Sequence, residues 1–168
     1  MDDEYSRILS SKVVKIIEME REKLKCQLNQ GNTIQSKHYT IIMQGGKVLS
    51  CETNCNLGKP TNFITRRVNT NSNYYTRHSE IQALQRMRKT IIKKRKMNSL
   101  LVINFKLSND LSIKNACCCT SCLETLCRLG INKVVYSLDN GSFVKMNVEQ
   151  IKKIAKPSKG SLYKKLYT

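Results

Sequence analysis

The chain has 168 residues, with 30 Lys or Arg against 12 Asp or Glu and a formal net charge of +18. That length suits one domain with a sizeable core, and neither a long apolar run nor an export signal is evident, so a soluble intracellular protein, cytoplasmic or nuclear, with no membrane partner is expected. Eight cysteines would suit a disulfide scaffold in an exported chain, but four of them crowd between Cys117 and Cys122, and reduced thiols with a metal site are the better expectation.

Tyr5, Ile8, Leu9, Val13, Ile16, Ile17 and Leu24 recur at helical spacing and predict a helix over residues 4 to 28. Its outer side carries Glu18, Glu20 and Glu22 among Arg21, Lys23 and Lys25, an ordinary solvated surface. Gln30-Gly31-Asn32 breaks it. Tyr39 to Met43 predicts a strand, and Gly45-Gly46 a tight hairpin into Lys47 to Cys51. His38, at the head of the first strand, is expected to be structural.

Residues 55 to 76 read as a long polar loop, a feature usually tied to function when it sits inside a compact domain. It precedes His78 and should therefore border whatever pocket His78 serves. Tyr74 and Tyr75 could stack on a base, and Arg66, Arg67 and Arg77 could meet phosphate, or the loop is plain surface. Ile81, Leu84, Met87 and Ile91 then predict an amphipathic helix from about 77 to 92, with His78 on its inward face. Arg86, Lys89, Lys93 and Lys96 form a row on the other side. A solvated face accounts for most such rows, but Lys93-Lys94-Arg95-Lys96 is dense enough to hold a nucleic-acid backbone or to act as a nuclear address.

Leu100 to Phe105 reads as a buried central strand, and Ser108-Asn109-Asp110 as a turn. Asn115-Ala116-Cys117-Cys118-Cys119-Thr120-Ser121-Cys122 runs into Leu123, Leu126 and Leu129, which places the cysteines at the mouth of a helix that Gly130 closes. Lys133 to Ser137 is the fourth strand, and Asp139-Asn140-Gly141 predicts a hairpin returning antiparallel through Ser142 to Met146. Val148, Ile151, Ile154 and Ala155 predict a last short helix before a basic tail from Pro157 onward. The charge is uneven: residues 51 to 100 hold 11 basic and 2 acidic side chains, and residues 151 to 168 hold 6 and none. Such patches can attract nucleic acid or serve solubility alone.

Only Cys119 and Cys122 have C-x-x-C spacing. Positions i and i+3 share a helix face, so both sulfurs can converge, and the helix N-terminus favours thiolate over thiol. Two thiolates suit zinc but leave its tetrahedral shell incomplete. Of the two histidines, His38 and His78, the second stands on an inward helix face. Glu80, two residues on, is turned away from ligation but can reach past the metal. Three ligands and an acid that is not a ligand leave one metal position open for water, which is the catalytic arrangement. A structural zinc with Cys117, Cys118 or Cys127 as fourth ligand is the alternative. Cys51 and Cys55 read as buried or pocket thiols rather than a second metal site.

His78-x-Glu80 followed by Cys119-x-x-Cys122 at the start of a second helix resembles the zinc deaminases of the cytidine deaminase-like superfamily. Gly46 to Asn54 is similar to that family's second strand, ending in its substrate-binding asparagine, and Gly130 to Ser137 to the strand after its cysteine helix. The resemblance covers residues 38 to 146. Cys118 replaces the usual proline before the first zinc cysteine, and Ser79 the usual alanine between the histidine and the glutamate.

The resemblance implies an α/β architecture, a three-layer α-β-α fold with a mixed five-stranded sheet and helices on both faces. It implies one domain over residues 1–156 with a basic tail at 157–168, and a homo-oligomer. It implies Zn2+ held by His78, Cys119 and Cys122, Glu80 as the proton carrier, and Asn54 on a sugar hydroxyl. Tyr75, Cys118 and Tyr136 are the candidate pocket residues. The implied substrate is cytosine in a free nucleoside or nucleotide, of the cytidine or deoxycytidylate type. The alternatives are a deaminase acting on bases within RNA or DNA, and a non-catalytic zinc-stabilised nucleic-acid binder. The predicted hairpin after the fourth strand resembles the cytidine deaminase branch, and a helix between residues 138 and 146 would reverse that reading.

Overall fold

The computed structural model describes residues 8–56, 76–87 and 94–158. Helix α1 (Ser11–Asn29) leads into an antiparallel hairpin of β1 (Lys37–Gln44) and β2 (Lys47–Thr53). Gly45 and Gly46 turn it at φ 52° and 77°. Both angles are left-handed, as a two-residue type I′ turn requires, and glycine adopts them without a Cβ clash. Two short strands, β3 (Cys55–Asn56) and β4 (Thr76–Arg77), pair antiparallel as a separate ribbon. There follow α2 (Ser79–Met87), a 3₁₀ turn (Lys94–Ser99), β5 (Leu100–Leu107) and β6 (Ile113–Lys114). The chain then forms α3 (Thr120–Arg128), β7 (Lys133–Ser137), β8 (Phe143–Asn147) and α4 (Val148–Lys152).

The main sheet has the order β2-β1-β5-β7-β8, with β6 added at the end of β5 as a sixth strand. It is mixed: β5 runs antiparallel to β1 and parallel to β7, and β8 returns antiparallel to β7. The hairpin predicted at Asn140-Gly141 is therefore present, and no helix intervenes between β7 and β8. Side chains alternate across the two central strands. Tyr39, Ile41, Met43, Ile103 and Phe105 pack with Val13, Ile17 and Leu24 of α1, and the Tyr39 and Phe105 rings stack at 4.7 Å. Ile42, Leu100 and Val102 pack with Ala83, Leu84 and Met87 of α2 and with Cys122, Leu123 and Leu126 of α3. The result is helix, sheet, helix, in three layers. A sheet covered on both faces needs apolar strands, and in β1 and β5 the buried polar exceptions are Thr40 and Asn104. They are direct cross-strand partners on the α2–α3 face.

Helix α1 starts at Ser11, not at residue 4. Ser10 takes an extended conformation at the N-cap, while Leu9 is buried from a turn, so its apolar spacing mimics helix without being helix. Tyr5 lies outside the described residues. Helix α2 is described to Met87 and the chain winds as 3₁₀ from Lys94, so an α-helical row through Lys96 does not hold. Lys89, Ile91 and Lys93 lie outside the described residues, as do Arg66, Arg67, Tyr74, Tyr75 and the tail from 159. Of the row, Arg86 is exposed and its Nε lies 3.2 Å from Glu52 Oε1. Gly130, at φ 81°, closes α3: its N–H donates to Cys127 O, and Ile131 N–H to Leu126 O.

Candidate metal centre

Three local structures deliver the site. The carbonyl of His78 accepts the Gln82 N–H at 3.0 Å, so His78 caps α2 just after the ribbon β3–β4 ends. Cys119 caps α3 with φ −72° and ψ 163°, and its carbonyl accepts Leu123 N–H. Cys122 then falls one turn inside α3 and is buried. Two helix N-termini thus meet at the C-terminal end of β5, each presenting its first side chains to the other.

His78 Nδ1 lies 3.4 Å from Cys119 Sγ and 3.3 Å from Cys122 Sγ, and the three ligand atoms all fall within 4.8 Å of one another. Zinc bound tetrahedrally at about 2.3 Å to sulfur and about 2.0–2.1 Å to nitrogen would hold its ligands roughly 3.6–3.8 Å apart. The three residues fit it, and a set of two sulfurs and one imidazole selects such a metal over magnesium or calcium. Among the described residues no further His, Cys, Asp or Glu joins the group. Cys119 is the thiol held ionised, its pKa brought down to about 4 because the Cys122 thiol donates to it and His78 stands beside it. The same hydrogen bond, together with burial, holds Cys122 up, and His78 is raised chiefly by its bond to Cys119.

Glu80 is 7 % exposed. Burial in the first place raises its pKa. Its Oε2 faces Cys122 Sγ at 3.6 Å and Ser79 Oγ at 3.5 Å, while Oε1 accepts Asn104 Nδ2 at 3.1 Å. The carboxylate is therefore beside the three-ligand group without belonging to it. Asn104 was legible in the sequence only as one residue of a buried strand; an amide within an otherwise apolar run is the signal that could have marked it. Its Nδ2 also donates to Cys118 Sγ at 3.0 Å, and its Oδ1 accepts Thr40 Oγ1 at 2.8 Å.

Asn54 is tied to the head of β1: its N–H donates to His38 O, and its Oδ1 accepts His38 N–H, both at 3.1 Å. The His38 ring lies on the same face, outside the ligand group, with its pKa lowered to about 4 by burial and by the charges of Lys106 and His78. Cys118 is buried, and the buried Tyr136 directs its hydroxyl to Met146 Sδ at 3.6 Å. Backbone donors at the α3 N-terminus are already engaged. Thr120 N–H donates to Lys156 O at 3.2 Å, and a Cys122 backbone hydrogen bond serves Cys119. Arg77, Lys94, Arg95 and Lys96 are described as backbone only.

No protein-family model matches the chain, and no curated protein matches it. Among solved structures, the apo form of dCMP deaminase from the cyanophage S-TIM5 matches at 17% identity and TM-score 0.42, over 85% of this chain and 94% of that one. The same enzyme in complex with dCMP and dUMP matches at 16% identity and TM-score 0.44, over 89% and 98%. No helix among the described residues is long and apolar enough to cross a membrane. The His78, Cys119 and Cys122 cluster is the arrangement that the cytidine deaminase-like resemblance implies for its metal.

Proposed function

We propose that this chain is a zinc-dependent hydrolytic deaminase of a nucleobase, acting on cytosine in a free nucleoside or nucleotide. The observation that carries the reading is a three-ligand, sulfur-rich metal group with a buried carboxylate standing beside it and outside it. Zinc held by His78, Cys119 and Cys122 supplies the Lewis acidity that makes water a nucleophile near neutral pH. Glu80 would take one proton from the attacking water and give it to the ring nitrogen. It would then take the second proton from the added hydroxyl as the carbonyl forms and give it to the amino group, which leaves as ammonia. A carboxyl group whose proton affinity is raised by burial suits a role that needs both acceptance and donation. With its Oδ1 engaged by the His38 N–H, Asn54 turns its amide donor to the sugar hydroxyl. Residues 1–156 form one catalytic domain in this reading, and assembly into a homo-oligomer goes with it.

The charge of +18 favours a second reading, deamination of bases within RNA or DNA. One panel separates the two: cytidine, deoxycytidylate, single-stranded DNA and RNA, each assayed for ammonia release across a salt series. Turnover of the free substrates alone supports the first reading. Oligonucleotide turnover whose log affinity falls with log salt by about 0.7 per phosphate contacted supports the second, and replacing Lys93, Lys94, Arg95 and Lys96 with glutamine should then flatten that slope.

A further inference from the structure

We propose that Asn104 is a positioning residue for Glu80: it holds one carboxylate oxygen in place so that the other faces the metal ligands. The role rests on the deaminase reading above, but the geometry that supports it belongs to this chain's own residues. Asn104 is 2 % exposed and sits on the central strand β5. Both protons of its amide and one acceptor site of its oxygen are matched. Nδ2 carries two protons, one aimed at Glu80 Oε1 (3.1 Å) and one at Cys118 Sγ (3.0 Å). Oδ1 faces the Thr40 hydroxyl at 2.8 Å.

Thr40 sets which way the amide points. It is the register partner of Asn104 across β1 and β5, fully buried, and its Oγ1 also lies 2.8 Å from Ser79 Oγ. With that hydroxyl donating to Oδ1, the amino group is turned to Glu80. A flipped amide would set its oxygen against the Glu80 carboxylate oxygen, which favours the orientation with the amino group there. The two departures from the resembled family pattern both enter this network. Cys118 stands where that pattern has proline, and its sulfur takes the second amide proton. Ser79 stands where it has alanine, and its hydroxyl lies between Thr40 and Glu80. A carboxylate that exchanges protons between water and a ring nitrogen must keep its working oxygen aimed throughout. Groups that orient such a residue typically matter by about 10–100-fold.

The test uses the zinc-loaded full chain and reads kcat, KM, zinc content and the Asn104 side-chain amide protons by ¹⁵N NMR. Asn104→Ala should lower kcat by about 10–100-fold, leave KM within about threefold, and keep one zinc. Thr40→Val should lower kcat in the same sense and abolish the two distinct, exchange-protected Asn104 amide signals. Thr40→Ser, which restores the hydroxyl, should recover both, and Asn104→Ala with Thr40→Val should be no worse than Asn104→Ala alone. A kcat for Asn104→Ala within about threefold of wild type overturns the role, and so does a loss explained by missing zinc. If the wild type turns over no substrate in the panel, the deaminase reading fails separately. The amide signals then decide alone, and their persistence in Thr40→Val overturns the positioning by Thr40.

Discussion

Glu80→Gln isolates proton transfer from everything else the residue does. The substitution keeps the shape of the side chain, and its amide oxygen can still accept Asn104 Nδ2 where Glu80 Oε1 does so at 3.1 Å. Its amide nitrogen would stand where Oε2 does, within reach of Ser79 Oγ and Cys122 Sγ, both able to accept. The Asn104 bond is kept and the new amide donor has partners within reach, so the fold should change by no more than about 1 kcal/mol. Since Glu80 lies outside the ligand group, zinc should stay at one per chain. What disappears is the carboxyl proton carrier beside the metal ligands. General acid–base groups contribute roughly 10²–10⁴-fold, equivalent to about 2.7–5.4 kcal/mol of barrier. Turnover of cytidine and deoxycytidylate should be followed by ammonia release, with zinc content and thermal unfolding measured on the same sample. Loss of zinc in the variant, or turnover within about threefold of wild type, would refute this assignment.

Cys122→Ser should lose zinc and stability together, because zinc bound in small sites contributes on the order of 10–16 kcal/mol to folding; full zinc by elemental analysis with normal turnover would oppose it. His38 has a folded-state pKa of about 4, below its ordinary 6.5, chiefly because it is buried. Between those values the unfolded chain binds a proton that the folded chain refuses. Stability should therefore be intact above pH 6.5 and fall as pH drops toward 4, by on the order of 3 kcal/mol. Urea unfolding of wild type and His38→Gln at several pH values checks this, and equal acid sensitivity in both would count against it. Gly130→Ala should cost about 1–2 kcal/mol from its φ of 81° even though nothing lies within 4 Å of the added Cβ; an unchanged melting temperature would show that the α3 terminus relaxes freely.

Most of the architecture could be read from patterns with one physical cause. The apolar run Leu100 to Phe105 marks a strand covered on both faces, Gly45-Gly46 marks a two-residue turn, Asp139-Asn140-Gly141 a three-residue one, and Gly130 a helix end. The spacing of Cys119 and Cys122 places two sulfurs at one helix N-terminus, whereas His78, read as lying on the face of a helix from about residue 77, caps a helix that begins at Ser79. What escaped was what depends on partners distant in sequence. Asn104 and Thr40 are 64 residues apart, and only the β1–β5 register makes them neighbours. Leu9 misled for the opposite reason: it is buried, but from a turn, and apolar spacing reports burial rather than backbone conformation. The strand β6 is two residues long and depends on pairing at Lys106 and Leu107, which no local pattern announces.

The central claim is that His78, Cys119 and Cys122 make a three-ligand metal centre with one position left for water. X-ray absorption at the zinc edge of the loaded protein tests it most directly. The account predicts one zinc per chain with two sulfur neighbours at about 2.3 Å, and with nitrogen and a light oxygen neighbour at about 2.0–2.1 Å. Three or four sulfur neighbours, drawn from Cys117 or Cys118, would mean a closed structural site and would contradict it.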